Sequence, residues 1–327
     1  MTTAARDHVD ERLAMLTALV NGDVALAHRI VLGLLGNGVP FDDIAVEILG
    51  PVQTELGRRW AAGDLGIAHE HAASAAVEDL LLRLGAVSES PRGPGVVVAS
   101  AEHDAHALGG RVVASALLLE GYRVMFLGPS VPARDLAEFL DMQQPLALAL
   151  SCSIPTALAG AARSVAAAHQ LGIPVLGGGS ALPTDARAAT LGFDARASMP
   201  RDAVDILRGW EHSIPDPLGT PPARLSEWTS LAALAPGLVA AAVHAHPIAP
   251  IPGMVLAEEL HRVLQGVESA LTVGEPAIID DHVDWLRESG PAHGFERPDI
   301  DAALGALALA MDTPLPDGAA VLRTALG

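Results

Sequence analysis

Along roughly the first 86 residues, apolar positions recur at helical spacing. Leu13, Leu16, Leu19 and Val20 form one stripe, and Asn21-Gly22-Asp23 ends it. A second stripe, Leu26, Ile30, Leu34 and Leu35, stops at Gly36-Asn37-Gly38. A third begins near Pro40 and holds Ile44, Ile48, Val52, Leu56 and Trp60, with Pro51 inside it predicting a kink. After the break at residues 61–66, a fourth helix is expected from Ile67 to about Leu84. Four helices with short connections predict an antiparallel bundle.

The pattern changes after Ser88–Gly95, a linker by composition. Short apolar runs at residues 95–100, 123–128, 146–151 and 173–179 alternate with helical stretches such as 110–120 and 156–171. Near-continuous β-branched and aliphatic runs alternating with helices predict a parallel sheet covered on both faces, an open doubly wound α/β domain ending near Gly209. A Pro- and Asp-rich stretch, residues 213–223, follows. The remainder reads as helical, broken at residues 245–253 and 289–298. The fold class expected is α/β plus α: a bundle (1–90), an α/β domain (91–212) and a helical C-terminal domain (213–327).

Composition narrows the chemistry. The chain has 327 residues, half of them hydrophobic, yet no uninterrupted apolar segment of membrane-spanning length. No basic-then-apolar leader opens it, so a cytoplasmic protein is expected. Cys152 is the single cysteine, which excludes an internal disulfide framework and a cysteine-based zinc site. All 20 basic residues are arginine, and the absence of lysine rules out a Schiff-base lysine or a phosphate-loop lysine. The net charge of −19 and 3% aromatics argue against direct nucleic-acid binding.

The densest chemistry lies at Glu102–Gly110, "EHDAHALGG", where the first strand should end. Ligands of open α/β sheets bind beyond the strands' carboxyl ends. Gly109 and Gly110 could serve a phosphate at a helix N-terminus, but that leaves Asp104 and His106 unexplained. A carboxylate two residues before a histidine can bond one ring nitrogen and leave the other basic, as in metal-ligating imidazoles. On spacing alone, a solvated loop histidine remains the stronger alternative. Glu102 and His103 read as loop polar residues without a role.

Asp104-x-His106-x-x-Gly109 resembles the D-x-H-x-x-G signature of the cobalamin-binding α/β domain. The resemblance implies that His106 is the lower axial cobalt ligand and that the displaced nucleotide tail enters the protein. Two further elements resemble those that line the tail: Ser151-Cys152-Ser153 after the third strand, and Gly177-Gly178-Gly179-Ser180 after the fourth. Glycines admit a close backbone approach, and hydroxyls can bond the tail.

The bundle is similar to the helical cap of the same family. In its light-sensing adenosylcobalamin branch a Trp is followed, after nine residues, by Glu-His; here Trp60 precedes Glu70-His71 at that interval. The resemblance implies that Trp60 shields the upper axial group and that Glu70 and His71 hold an adenosyl sugar. It covers about residues 10–210. Two departures are evident: the chain starts directly at the bundle, without the DNA-binding domain of the repressors in this branch, and Ala61 stands where they carry a histidine. The plan is similar to that of the photocobilins, which implies that the C-terminal segment helps bind biliverdin. His244, His246, His261, Arg262 and His282 are the candidates, and no motif selects among them. Covalent attachment is not expected, because Cys152 falls at a buried strand end. The function expected is therefore a non-enzymatic light sensor, with a homo-oligomer or a downstream signalling protein as partner. The alternatives are a corrinoid carrier of a methyltransferase system or a cobalamin-sensing module that binds a regulator.

Overall fold

The computed structural model describes residues 8–85, 93–214, 229–245 and 256–327. The bundle begins with α1 (Val9–Val20) and α2 (Val24–Gly36), the second capped by Asp23, whose carboxylate accepts from the Leu26 N–H at 2.9 Å. A third helical run passes from α3 (Phe41–Asp43) through a π-helical turn (Ile44–Leu49) into α4 (Gly50–Ala61), and α5 (Ile67–Gly85) closes the bundle. The run continues through Pro51, and the backbone widens into the π turn just before it. The Glu47 carbonyl, which residue 51 would bond in an α-helix, accepts from Arg12 Nη1 at 3.1 Å. Leu13 is also not a core residue: it is 62% exposed, and α1 buries Met15, Ala18 and Leu19.

Residues 95–210 form a parallel sheet flanked by helices. Its strands are β1 (Gly95–Ser100), β2 (Arg123–Gly128), β3 (Ala147–Ser151), β4 (Val175–Gly178) and β5 (Ala195–Arg196), in the order β2-β1-β3-β4-β5. The last strand is an addition to the four expected; two residues without a β-branched run carry no strand pattern. The helices are α6 (Leu108–Leu119), α7 (Ala133–Gln143), α8 (Leu158–Gln170), α9 (Asp185–Thr190) and α10 (Pro200–Trp210). Strands β1 and β3 are buried throughout, as their continuous apolar runs require. The chain order reverses between β1 and β3, and the loops after those strands open at that crevice.

The C-terminal part consists of α11 (Thr229–Ala245), α12 (Leu256–Val273), α13 (Ala277–Ser289), a 3-10 turn (Gly290–His293), α14 (Arg297–Met311) and α15 (Pro316–Leu326) around a core of its own. Most of the expected linker after Ser88, residues 215–223 of the Pro- and Asp-rich stretch and residues 246–253 of the expected break lie outside the described residues.

Three sets of contacts bring these parts together. The bundle rests on α6, where Ser115 Oγ donates to the Leu81 carbonyl at 3.0 Å. Helix α12 rests on α8 and the turn before it: Ser269 Oγ donates to the Thr156 carbonyl at 2.8 Å and accepts from the Ala159 N–H at 3.1 Å. The bundle and the C-terminal helices also touch each other, through Trp60.

Candidate functional site at the carboxyl edge of the sheet

Parallel register places the sequence-selected residues along one edge. Ser100 lies opposite Ser151, and Ser151 opposite Gly178. The loop leaving β1 carries Asp104, which is fully buried. Asp104 Oδ1 accepts from the His106 N–H and from His106 Nδ1, both at 2.9 Å. Asp104 Oδ2 accepts from the Ser153 N–H at 2.5 Å, which ties this loop to the one leaving β3.

A carboxylate oxygen only accepts, so Nδ1 carries the hydrogen and the neutral ring presents its lone pair on Nε2. The Asp104 hydrogen bond holds the imidazole pKa above its ordinary value against the opposing effect of burial. The side chain is 59% exposed. Glu70 of α5 and Arg262 of α12 both act electrostatically on this ring, the first raising and the second lowering its pKa. Groups from all three parts of the chain thus converge on His106.

Beside it, a solvent-open cleft of about 1090 Å³ runs between α6 and the sheet. Gly109, Gly110, Ser151 and Gly177–Gly179 line it, together with Met199 and Leu49. Gly177 and Gly179 leave no room for a side chain. A Cβ on Gly109 would lie 3.0 Å from Ser151 Oγ, and one on Gly177 would lie 2.7 Å from the Phe193 ring. Gly179 has φ +105°, and a Cβ there would collide with the Cys152 carbonyl. Ser180 Oγ donates to the Ser153 carbonyl at 2.6 Å, so this hydroxyl braces the β3 loop. Cys152 is fully buried, and burial pushes its thiol far above the ordinary range.

On the bundle side, Glu70 accepts from Ser74 Oγ at 2.7 Å and contacts His71 Nδ1 at 2.7 Å. Ser74 Oγ also lies 3.2 Å from the Gln53 side-chain amide, whose buried Nε2 has no partner among the described residues. Glu70 is half-buried, whereas His71 is 72% exposed. Trp60 packs against Trp285 (centroids 6.1 Å apart) and His293 (4.8 Å), both from the C-terminal helices.

Of the five C-terminal candidates, His282 and Arg262 lie near one another. Burial, and secondarily Arg262, drive the His282 imidazole down to about 4. His282 stacks on Trp285 at 5.9 Å, and its Nε2 lacks a partner among the described residues. His261 bonds the Ala257 carbonyl of its own helix at 2.7 Å. His244 is exposed, and His246 lies outside the described residues.

Sequence reasoning missed Met199 and Leu49 in the cleft, Trp285 and His293 beside Trp60, and the engagement of Glu102. The last was expected to be an idle loop residue, but it pairs with Arg163 of α8 at 2.6 Å. None of these carries a local pattern. Among the described residues, no group of three or more His, Cys, Asp or Glu is arranged to hold a metal ion, and no helix is long and apolar enough to cross a membrane.

Residues 94–203 match a family described as B12 binding domain, and residues 12–84 match a second family of the same description. A curated relative is the HTH-type transcriptional repressor CarH of Myxococcus xanthus, 34% identical over 107 residues. That match covers 32% of this chain and 35% of the relative, so the chain spans about a third of the relative's length. Solved structures with partial likeness include a monomethylamine corrinoid protein of Methanosarcina barkeri (TM-score 0.49, 21% identity, 61% of this chain and 97% of that one). Another is the methanol:cobalamin methyltransferase complex of the same organism (TM-score 0.35, 20% identity, 64% and 82%). The two domain matches, with the partial relative, support placing residues 12–203 in a cobalamin-binding family.

Proposed function

We propose that the chain is a light sensor that binds adenosylcobalamin between its bundle and its sheet edge. The residues present fit a corrinoid. One oriented imidazole with a free lone pair suits a metal that arrives with its other ligands already in place, and the glycine-lined cleft suits a displaced nucleotide tail. When bound, the cofactor supplies a light-sensitive cobalt–carbon bond. His106 would hold the lower face, Asp104 would fix its tautomer, and Gly109, Ser151, Ser153 and Gly177–Ser180 would line the tail. Trp60, Glu70 and His71 would face the upper group. We treat the bundle, the α/β unit and the C-terminal helices as three domains of one cytoplasmic, non-enzymatic protein.

The observation that carries the reading is the ring contact of Trp60 with Trp285 and His293. The residue expected over the upper axial group is also the residue that touches the C-terminal helices. A carrier needs no such link. The match to a transcriptional repressor leaves the expected absence of a nucleic-acid partner without support, so DNA and a protein partner are both open as outputs.

The test is hydrogen exchange on the adenosylcobalamin-loaded protein, dark and illuminated. Exchange around residues 56–63 and 282–293 should change with light, together with the assembly state. Identical exchange and assembly in both states would leave the corrinoid-carrier reading in its place.

The finer part of the proposal is a second chromophore, biliverdin. What favours it is the corner of His282, Arg262 and Trp285, where a buried imidazole nitrogen lacks a partner. Biliverdin should co-elute with the full chain and be lost in Arg262→Ala and His282→Leu. Separate elution from the unaltered protein would refute it.

A further inference from the structure

A part-buried charge triad, with Glu268 its one fully buried member, joins the C-terminal helices to the loop of His106. Arg163 of α8 donates from Nε to Glu102 Oε2 at 2.6 Å and from Nη1 to Glu268 Oε1 at 2.5 Å. Glu268 belongs to α12 and is 6% exposed, whereas Glu102 opens the loop that carries Asp104 and His106. Burial raises the Glu268 pKa, and Arg163 opposes that rise. Two carboxylates share one guanidinium, so without Arg163 they would repel each other across a poorly solvated gap.

A buried ion pair is a weak source of net stability, and its best-attested use is to fix register. The surroundings show what is being fixed. Helix α8 approaches the loop so closely that a Cβ on Gly160 would overlap the Glu102 carbonyl. His103, the next residue, is held at φ +72°, a conformation that L side chains seldom adopt without outside constraint. Its N–H donates to Ser130 Oγ at 3.2 Å. On the other side, α12 is keyed to α8 through Ser269, the neighbour of Glu268, and it also carries Arg262, which acts on the His106 ring.

We propose that Arg163 is a positioning residue, bridging Glu268 to Glu102 so that the packing of α12 sets the orientation of the His106 loop. The inference rests on reading His106 as a cobalt ligand. It gives the C-terminal helices a route to the lower face of the site, separate from the Trp60 contact on the other side.

The experiment uses the full chain, labelled with ¹⁵N-histidine and loaded with cob(II)alamin. The nitrogen splitting of the cobalt electron spin resonance signal reports whether a protein histidine is bound. Glu268→Gln and Arg163→Met are compared with the unaltered protein, with hydrogen exchange read over residues 101–107 and, as an internal reference, over 147–151. Both variants should lower the fraction of histidine-bound cobalt and weaken cobalamin affinity by about tenfold, the low end of the cost of losing an outer partner of a metal-ligating histidine. Exchange should quicken in 101–107 and stay unchanged in 147–151. If the unaltered protein shows no ¹⁵N splitting, the ligand reading itself falls. If it does, and Glu268→Gln matches it in splitting and loop exchange, the positioning role falls while the ligand stands. Where Arg163→Met does not fold, Glu268→Gln decides alone, since its amide oxygen still accepts from Arg163 while the charge is gone.

Discussion

Asp104→Asn is the smallest change that separates the geometry of the His106 loop from its charge. The carboxylate accepts three hydrogen bonds, two on Oδ1 from His106 and one on Oδ2 from the Ser153 N–H. Asparagine keeps one acceptor oxygen. If that oxygen stays toward His106, its NH₂ faces the Ser153 N–H, donor against donor, in a site with no exposure. Hydrogen bonds to a charged acceptor contribute about 1.5–3 kcal/mol each, and a stranded buried donor costs about 1–3 kcal/mol. Relief from burying a carboxylate offsets part of this. The net loss should be about 2–3 kcal/mol in the cofactor-free protein, read as a lower urea midpoint at unchanged slope. Cobalamin affinity should fall by about 10–100-fold, as for other partners that orient a metal-bound histidine. A variant within about 0.5 kcal/mol of the parent, the spread of an ordinary surface substitution, and with unaltered affinity would show that Asp104 neither braces the β1 and β3 loops nor orients the imidazole.

Two further outcomes follow from the same structure. Gly179→Ala should cost more than the roughly 1–3 kcal/mol of a positive φ alone, because its Cβ meets the rigid Cys152 backbone, whereas Gly121→Ala, at φ +88° with open space around it, should cost only the conformational part; equal losses in denaturation would refute the steric account. His282, held neutral down to about pH 4, binds no proton in the folded state where the unfolded chain does, so stability should fall as pH drops from about 6.5 to 4, by at most about 3 kcal/mol, and level off below that; urea titrations of His282→Phe should lack that part of the slope, and an unchanged slope would place the imidazole in water.

What was legible in the sequence is what repeats at short range. The stripes of the bundle, the four β-branched or aliphatic runs and the strand-end loops each declare themselves within about ten residues, and in parallel register those loops come to one edge. Asp104 and His106 were readable because their contact spans two residues. The missed features are those whose cause lies elsewhere in the chain. The π turn before Pro51 depends on Arg12 taking up the Glu47 carbonyl. The exposure of Leu13 was hidden because α1 has more apolar positions than one buried face needs. Trp60 offered a bundle-core or cofactor reading, and its contacts with Trp285 and His293 span more than two hundred residues.

Arginine-only basicity takes on a structural meaning once these partners are known. A guanidinium offers five donors in a planar fork, whereas an ammonium is a compact point charge. Arg163 uses two arms of its fork to hold carboxylates from two separate elements. Arg187 reaches both Glu275, in the turn after α12, and the Ala181 carbonyl after β4. Arg287 joins Asp301 to the Ala325 and Leu326 carbonyls at the end of α15. In each case one side chain sets a direction as well as a distance between elements remote in sequence. A lysine would keep the attraction and lose the angle. Two of these bridges, through Arg163 and Arg187, cross between the sheet unit and the C-terminal helices. The same feature that excluded lysine chemistry thus supplies the joints through which those helices are held against the edge of the sheet.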